Sequence, residues 1–390
     1  MTARPDVVYV LPDKMGGVLT MVANLLQHRT PDEFTYRVIL TRNELDRDTL
    51  ASMPLGADEE ARFDYALPIE NLYAVVKRLS RMIGPGPGVL VCNDFVELLL
   101  LTVVDPGRTV VQILHGDYDY YYDLAAVHEP LVHAFVASSR TIYEKLIDRL
   151  PQRRDTILWL PYGVPIPAES RQPSSGPLRL IFVGRLDEAK GVFTMPAIDR
   201  LLREEGVPIT WTIVGNGPAK EALKAAWPKG SKVRWTEAAT PDAVTSLCAE
   251  HDVFVLPSRA EGLSVAAVEA MSVGLVPVVS DLPSMAELLD GGRTGMSAPA
   301  GDAASFARAI GSLARDRNCL ETMSRAARQL AIDRFDIRAR AASYQHLYAR
   351  WRELSSVRPA SPTRVYGSRL DQRWIPNAAV KLIRSALRRA

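Results

Sequence analysis

The chain has 390 residues, 47% of them hydrophobic, a mean hydropathy of −0.03 and a formal net charge of +2. That length exceeds one ordinary core and predicts two domains of a globular, soluble-type protein. No uninterrupted apolar stretch reaches the ~18 residues of a membrane span, and residues 1–14 lack the apolar run of a signal peptide. Cys92, Cys248 and Cys319 are scattered without metal-ligand spacing, so a cytoplasmic compartment without disulfides is expected. The charge is uneven: residues 357–390 hold eight Arg or Lys against one acid, Asp371, a net +7 that leaves the rest near −5. Such a body is not a nucleic-acid binder, and electrostatic targeting falls to the tail.

Residues 7–11 read as a buried strand, and the loop 12–17 ends in Gly16 and Gly17 before a helix over 18–27. Paired glycines at a strand-to-helix turn let backbone approach a ligand closely, although any α/β turn reads the same. A strand over 36–41 follows, and 42–64 reads as a charged surface segment. The strand 88–92 ends at Asn93 and Asp94, on the edge where open α/β sheets bind ligands, and 95–104 reads as an apolar core helix. After the strand 110–114 come His115, Gly116 and Asp117, then the run Tyr118 to Asp123. A strand-end histidine is ordinarily a structural hydrogen-bonder. The Tyr/Asp run suits an acceptor wall, with Asp117, Tyr118 and Tyr120 offering sugar-binding faces and carboxylates, or equally a solvated loop over packed tyrosines. The strand 134–138, a helix over 139–149, the strand 157–160 and the turn 161–165 close this half, and 169–177 has a linker's composition.

The second half opens with a strand over 178–183, then Gly184 and Arg185, with Lys190 five residues on. Arginine supplies a fork and lysine a point charge where a diphosphate would sit, although a solvated pair is the ordinary reading. The strand 211–214 runs into Gly215-Asn216-Gly217-Pro218, a strand over 232–235 and a helix over 242–249 follow, and then comes the most informative stretch, 249–281. It reads as a strand at 252–256, a break at Pro257 and Ser258, a helix at 264–272 with Ser264 as N-cap, and a strand at 276–279. Such a βαβ unit aims the N–H groups of Gly262, Leu263 and Ser264 at a bound phosphate. Glu261 and Glu269 frame that site: carboxylates repel phosphate but hold hydroxyls, and Glu269 stands among Val265, Ala266, Ala267, Val268, Ala270 and Met271, where an unpaired acid is costly.

The pattern of Glu261 and Glu269 in EGLSVAAVEA, between LPS and VPVVSD, resembles the signature of retaining nucleotide-sugar glycosyltransferases of the GT-B fold, in particular glycosyltransferase family four. FVGRLDEAKG and the G-x-G-P at 215–218 resemble the same family, and so does 285–302 with Gly295, Gly301 and Asp302. The resemblance implies an α/β, GT-B architecture of two Rossmann-like domains whose parallel sheets face each other across a cleft: an acceptor domain 1–168, a linker 169–177, a donor domain 178–345, and a segment 346–390 that crosses back or stays free. It implies that Glu261 contacts the transferred sugar, Glu269 the ribose, and Arg185 and Lys190 the diphosphate. Gly16 and Gly17 then face the diphosphate and acceptor, and His115 reaches the donor sugar. Two departures stand out: Tyr162 replaces the usual Asn before Gly163, and the usual Trp after Phe335 is missing.

The expected function is transfer of a hexose-type sugar from a nucleotide-diphosphate sugar to a saccharide, lipid-linked or small-molecule hydroxyl. No cofactor is expected; nor is a metal, since no D-x-D stands at a strand end and the candidate Asp117-Tyr118-Asp119 lies in the acceptor half. The rivals are a nucleotide-sugar epimerase on this fold and a non-catalytic nucleotide-sugar-binding subunit. Helices are expected over 303–315, 320–328 and 335–354. In the tail, Ala379, Leu382, Ile383, Ala386 and Leu387 recur at helical spacing against Lys381, Arg384, Arg388 and Arg389. That face predicts either membrane-surface contact or packing against the N-terminal domain.

Overall fold

A computed structural model describes residues 4–45, 53–237, 240–354 and 367–387. The chain divides into two compact units, the first comprising 1–138, 142–160 and 341–390, the second 139–141 and 161–340.

In unit one the β-branched runs form β1 (Asp6–Pro12), β2 (Thr35–Asn43), β3 (Glu59–Tyr65), β4 (Gly88–Cys92), β5 (Thr109–Leu114), β6 (Ala134–Ala137) and β7 (Ile157–Trp159). They make one sheet in the order β3-β2-β1-β4-β5-β6-β7 with every pair parallel. Unit two has β8 (Leu178–Val183), β9 (Ile209–Val214), β10 (Val233–Thr236), β11 (Val253–Leu256), β12 (Val276–Ser280) and β13 (Met296–Ala298). These are also all parallel, in the order β10-β9-β8-β11-β12-β13. The central strands are buried throughout, as continuous apolar runs in a covered parallel sheet must be. Each sheet reverses winding direction once, between β1 and β4 and between β8 and β11. Open α/β sheets bind ligands beyond the strand ends at that point.

Several elements differ from expectation. Residues 42–64 contain β3, whose sequence EEARFDY buries only Phe63 fully; an edge strand needs little apolar content, so its pattern did not stand out. Residues 46–52 lie outside the described residues. The helix expected over 95–104 ends at Leu101, and the Tyr/Asp run is no loop, because a helix Asp119–His128 begins inside it. The helix expected over 320–328 is Arg317–Phe335. That expected over 335–354 is broken: Asp336 leaves the helical region with ψ 120°, and Ile337–Ala349 and Trp351–Leu354 follow.

The expected linker 169–177 is stitched into unit two. Buried Arg171 pairs with Asp252 at 3.0 Å and Glu321 at 2.6 Å, and its Nε donates to the Gly274 carbonyl. The boundary falls at 160/161 because Val164 bridges Asp336, and the return falls at 340/341. Residues 341 onward complete unit one. Tyr348 and Tyr9 share a buried hydroxyl hydrogen bond of 2.7 Å, Thr109 Oγ1 donates to the Trp351 carbonyl, and Tyr344 Oη to that of Leu160.

The tail packs on unit one as well. Asp371 accepts from the Leu72 N–H and from Arg384, while Asn71 donates to the carbonyls of Gln372 and Ile375. Arg384 also donates to the Glu70 carbonyl, and Asn377 to the Glu70 carboxylate. Among the described residues no helix is long and apolar enough to cross a membrane. Arg358, Arg364, Arg388 and Arg389 lie outside those residues.

Candidate functional site

In unit two the strand ends of β8, β9 and β11 bring the expected residues together. A Cβ on Gly215, at φ 143°, would stand 2.0 Å from the Gly184 carbonyl oxygen, so only glycine lets the loops after β8 and β9 close on each other. Leu186 N–H donates to the Asn216 carbonyl and Ala219 N–H returns to that of Leu186, which fixes the Gly217 turn beside the Arg185 loop. Gly191, at φ 64°, would place a Cβ 1.9 Å from the Pro257 carbonyl oxygen and so seats the Lys190 loop directly on the loop after β11.

The charges follow from that packing. Lys190 Nζ lies 2.7 Å from Glu261 Oε1, which also accepts from the buried Ser258 hydroxyl at 2.6 Å. Ser284 Oγ donates to the Glu261 carbonyl and anchors the loop from the other side. Arg185 Nε pairs with Asp187 at 2.5 Å and is half exposed, while Asp187 Oδ1 accepts from the Lys190 N–H. Ser264 caps the helix Val265–Ser272 by accepting from the Ala267 N–H, as its position predicted. Among the described residues the N–H groups of Gly262, Leu263 and Ser264 donate to no protein group. Two cations and three free donors therefore share one sheet edge, an arrangement suited to a bound anion.

Glu269 sits within that helix, 5% exposed, and its carboxyl has no hydrogen-bond partner among the described residues. Burial raises its pKa to about 8. In the absence of a partner it holds a proton at neutral pH, and hydroxyl groups of a ligand would favour the charged form.

In unit one Gly16 and Gly17 lie exposed after β1 and open the helix Gly17–Gln27. A Cβ on Gly16 would meet no protein atom within 4 Å, so packing does not demand glycine there. Asn93, after β4, and His115, after β5, are buried and joined by a 2.7 Å hydrogen bond between Nε2 and Oδ1, while Asn93 Nδ2 donates to the Val10 carbonyl. Burial lowers His115 to about 3, which leaves a neutral imidazole. Tyr120 donates to Asp94.

The other two expected acceptor residues are not part of that cluster. Asp117 is held at 2.8 Å by Lys145 and accepts from Tyr122, so its carboxylate is already engaged. With Tyr118, Asp119, Asp148 and Arg149 it lines a separate groove of about 650 Å³. Tyr121 spans the two places, its ring 6.4 Å from both His115 and Tyr118.

Sequence reading missed Glu97. Glu97 is fully buried, accepts from the Asn93 and Asp94 N–H groups at 2.7 and 2.6 Å, and is raised to about 8 by burial and by the neighbouring Asp94 charge. Its signal was present as Asp94-x-x-Glu97, a capping box before an apolar run.

Two doubly wound parallel units are the architecture of the GT-B fold. Residues 177–316 match the model of the family described as glycosyl transferases group 1. The chain is 32% identical over 185 residues to a glycogen synthase of Mycobacterium tuberculosis, covering 47% of this chain and 45% of that one. It is 34% identical over 144 residues to a putative colanic acid biosynthesis glycosyltransferase of Escherichia coli, covering 34% and 35%. The chain thus spans about half the length, or less, of these curated relatives. Among solved structures, HepE of Anabaena in complex with UDP and glucose superposes with TM-score 0.70 at 17% identity, covering 88% of this chain and 99% of that one. Sucrose-phosphate synthase of Thermosynechococcus elongatus gives 0.71 at 17%, covering 90% and 100%. At that identity the likeness shows the fold.

Proposed function

We propose that the protein is a retaining, metal-independent glycosyltransferase that moves a hexose-type sugar from a UDP- or GDP-sugar to a hydroxyl of a saccharide, lipid-linked or small-molecule acceptor. The observation that carries this reading is the Arg185, Lys190, Ser258 and Glu261 cluster at the β8/β11 switch point, beside the free N–H groups of 262–264. Arg185 and Lys190 neutralise the departing diphosphate, work that metal ions do in other transferases. Glu261 releases Lys190 to the phosphate and takes sugar hydroxyls, and Glu269 takes those of the ribose. Gly16 and Gly17 give close backbone approach, and neutral His115 donates or accepts a hydrogen bond without adding charge.

The bond from the anomeric carbon to the phosphate oxygen breaks while that to the acceptor oxygen forms on the same face. The acceptor proton passes to the departing phosphate, so no enzymic nucleophile is needed. A lipid-linked acceptor would bring the enzyme to a membrane's inner face, where the basic tail would hold it. A screen of intact nucleotide sugars by thermal shift, followed by donor hydrolysis and product anomer analysis, tests the reading, because a ligand that binds the folded chain raises its Tm by mass action. A stabilising donor turned over to a product of the same anomeric configuration is expected. Binding without turnover would leave a non-catalytic subunit, and an inverted product would end the retaining assignment.

A further inference from the structure

The last described helix, Asn377–Leu387, is mounted the wrong way round for a surface helix. Such a helix ordinarily buries its apolar stripe and leaves its polar one in water. Here Asn377, Lys381 and Arg384 turn toward unit one, where they meet Glu70, Asn71 and Asp371, and Val380 is the only fully buried apolar side chain. At about 100° per residue the opposite side carries Ala378, Ala379, Leu382, Ile383 and Ala386, with no charged residue among them. Leu382 is 75% exposed and Leu387 70%, and Trp374, just ahead of the helix, is 79% exposed.

The mounting is specific. Arg384 reaches the Glu70 carbonyl at 2.7 Å and Asp371 at 2.6 Å, and Asp371 in turn accepts from the Leu72 N–H at 2.9 Å. Burial pushes Asp371 up, but Arg384 and the backbone donors outweigh it and hold it below the usual carboxylate range. The polar face is therefore committed to the protein, and the apolar one is left for something else.

The surrounding charge names the occupant. Of the exposed charged residues of 367–387, Lys381 lies 3.7 Å from Glu70 and Arg373 sits over the Tyr73 ring, Arg369 completes the set, and the segment's one acid, Asp371, is buried against Arg384. Exposed leucines, a tryptophan and cations without a free acid are the composition that settles at the boundary between acyl chains and anionic headgroups. From the apolar outer face and this one-signed rim, we infer that the Trp374–Leu387 segment docks on an anionic bilayer surface. The inference deepens the membrane part of the function proposed above, but its test reads binding and not sugar transfer.

The test is flotation of the full chain with vesicles of phosphatidylcholine alone or mixed with phosphatidylglycerol. Wild type is expected to float with the mixed vesicles only, and less so as salt rises. Leu382→Glu/Leu387→Glu alters side chains that are 75% and 70% exposed, so its Tm should stay close to wild type while partitioning falls roughly tenfold or more. Unchanged flotation of that variant, equal flotation with neutral vesicles, or none by wild type would overturn the inference. So would a dimer of wild type that the double variant abolishes, since a second copy would then cover the face. A protein that floats as expected but turns over no nucleotide sugar would fail the proposed function and leave this inference standing.

Discussion

Lys190 meets its countercharge in Glu261 at 2.7 Å, and Arg185 in Asp187 at 2.5 Å, so neither cation is needed to hold a core together. Lys190→Ala and Arg185→Ala should each lower transfer on the order of 10²-fold, by analogy with loss of one oxyanion donor. Their Tm should stay close to wild type, and folded variants with near-normal turnover would remove these residues from the site. Glu269 adds a pH signature. Its carboxyl titrates near 4.5 ordinarily and at about 8 when folded. Between those values the unfolded chain has lost a proton that the folded chain keeps, so stability is full below the lower value and falls as pH rises through the upper one. Glu97, also raised to about 8, contributes in the same direction. Glu269→Gln should therefore lose less Tm than wild type between about pH 5 and about pH 8, and an equal loss would contradict the buried acid. The Glu261 and Glu269 pair was legible because its spacing, glycine and flanking strands agree. The groove that takes Asp117 away from His115 was not, because Lys145, its partner, lies 28 residues downstream with nothing local to announce it.

At the scale of elements, the loops are positioned by glycines whose roles differ and can be told apart. Gly191→Ala drives a Cβ into the Pro257 carbonyl, whereas Gly206→Ala, at φ 70°, meets nothing within 4 Å. The first should cost clearly more stability than the second, for which about 1 kcal/mol of left-handed strain is expected. Equal losses by chemical denaturation would mean the Lys190 and Pro257 loops are not held together as described. Gly16→Ala should leave Tm unchanged and still weaken transfer, since open space surrounds that Cβ until a ligand arrives. The strands were legible at this scale wherever burial on both faces gave continuous apolar runs. β3 was not, because an edge strand shows its charges. The tail helix was recognised by its period, but not its orientation: the pattern marks two faces and cannot say which one the Glu70, Asn71 and Asp371 surface selects.

For the whole molecule, unit two is an insertion within unit one. A fragment 161–340 keeps its entire sheet and cluster, so it should fold and bind a nucleoside diphosphate on its own. A fragment 1–160 lacks Tyr348, which satisfies the buried Tyr9 hydroxyl, and Trp351, which accepts from Thr109, and should be unstable or aggregate. Circular dichroism melts of the two fragments decide this, and a cooperative melt of 1–160 equal to that of the full chain would contradict the division. Full-length activity should survive a chelator, because side-chain cations stand at the diphosphate position; complete loss restored by Mg²⁺ or Mn²⁺ would contradict the metal-independent reading. Two doubly wound halves were expected from length and motif, and a return of 346–390 to the first half was one of the two outcomes expected; the return falls at 341. Composition marked 169–177 as a joint, whereas one arginine, Arg171, anchors that stretch inside unit two.

The hydroxyl bond between Tyr9 and Tyr348 also sets an order of events during synthesis. At ~5–20 residues per second, on the order of 10–40 s separate the emergence of Leu160 from that of Tyr348. For that interval the first-made sheet waits with its polar core groups unmatched, while the later-made unit can complete itself. The half of the protein that is translated first is therefore the last to reach its final form.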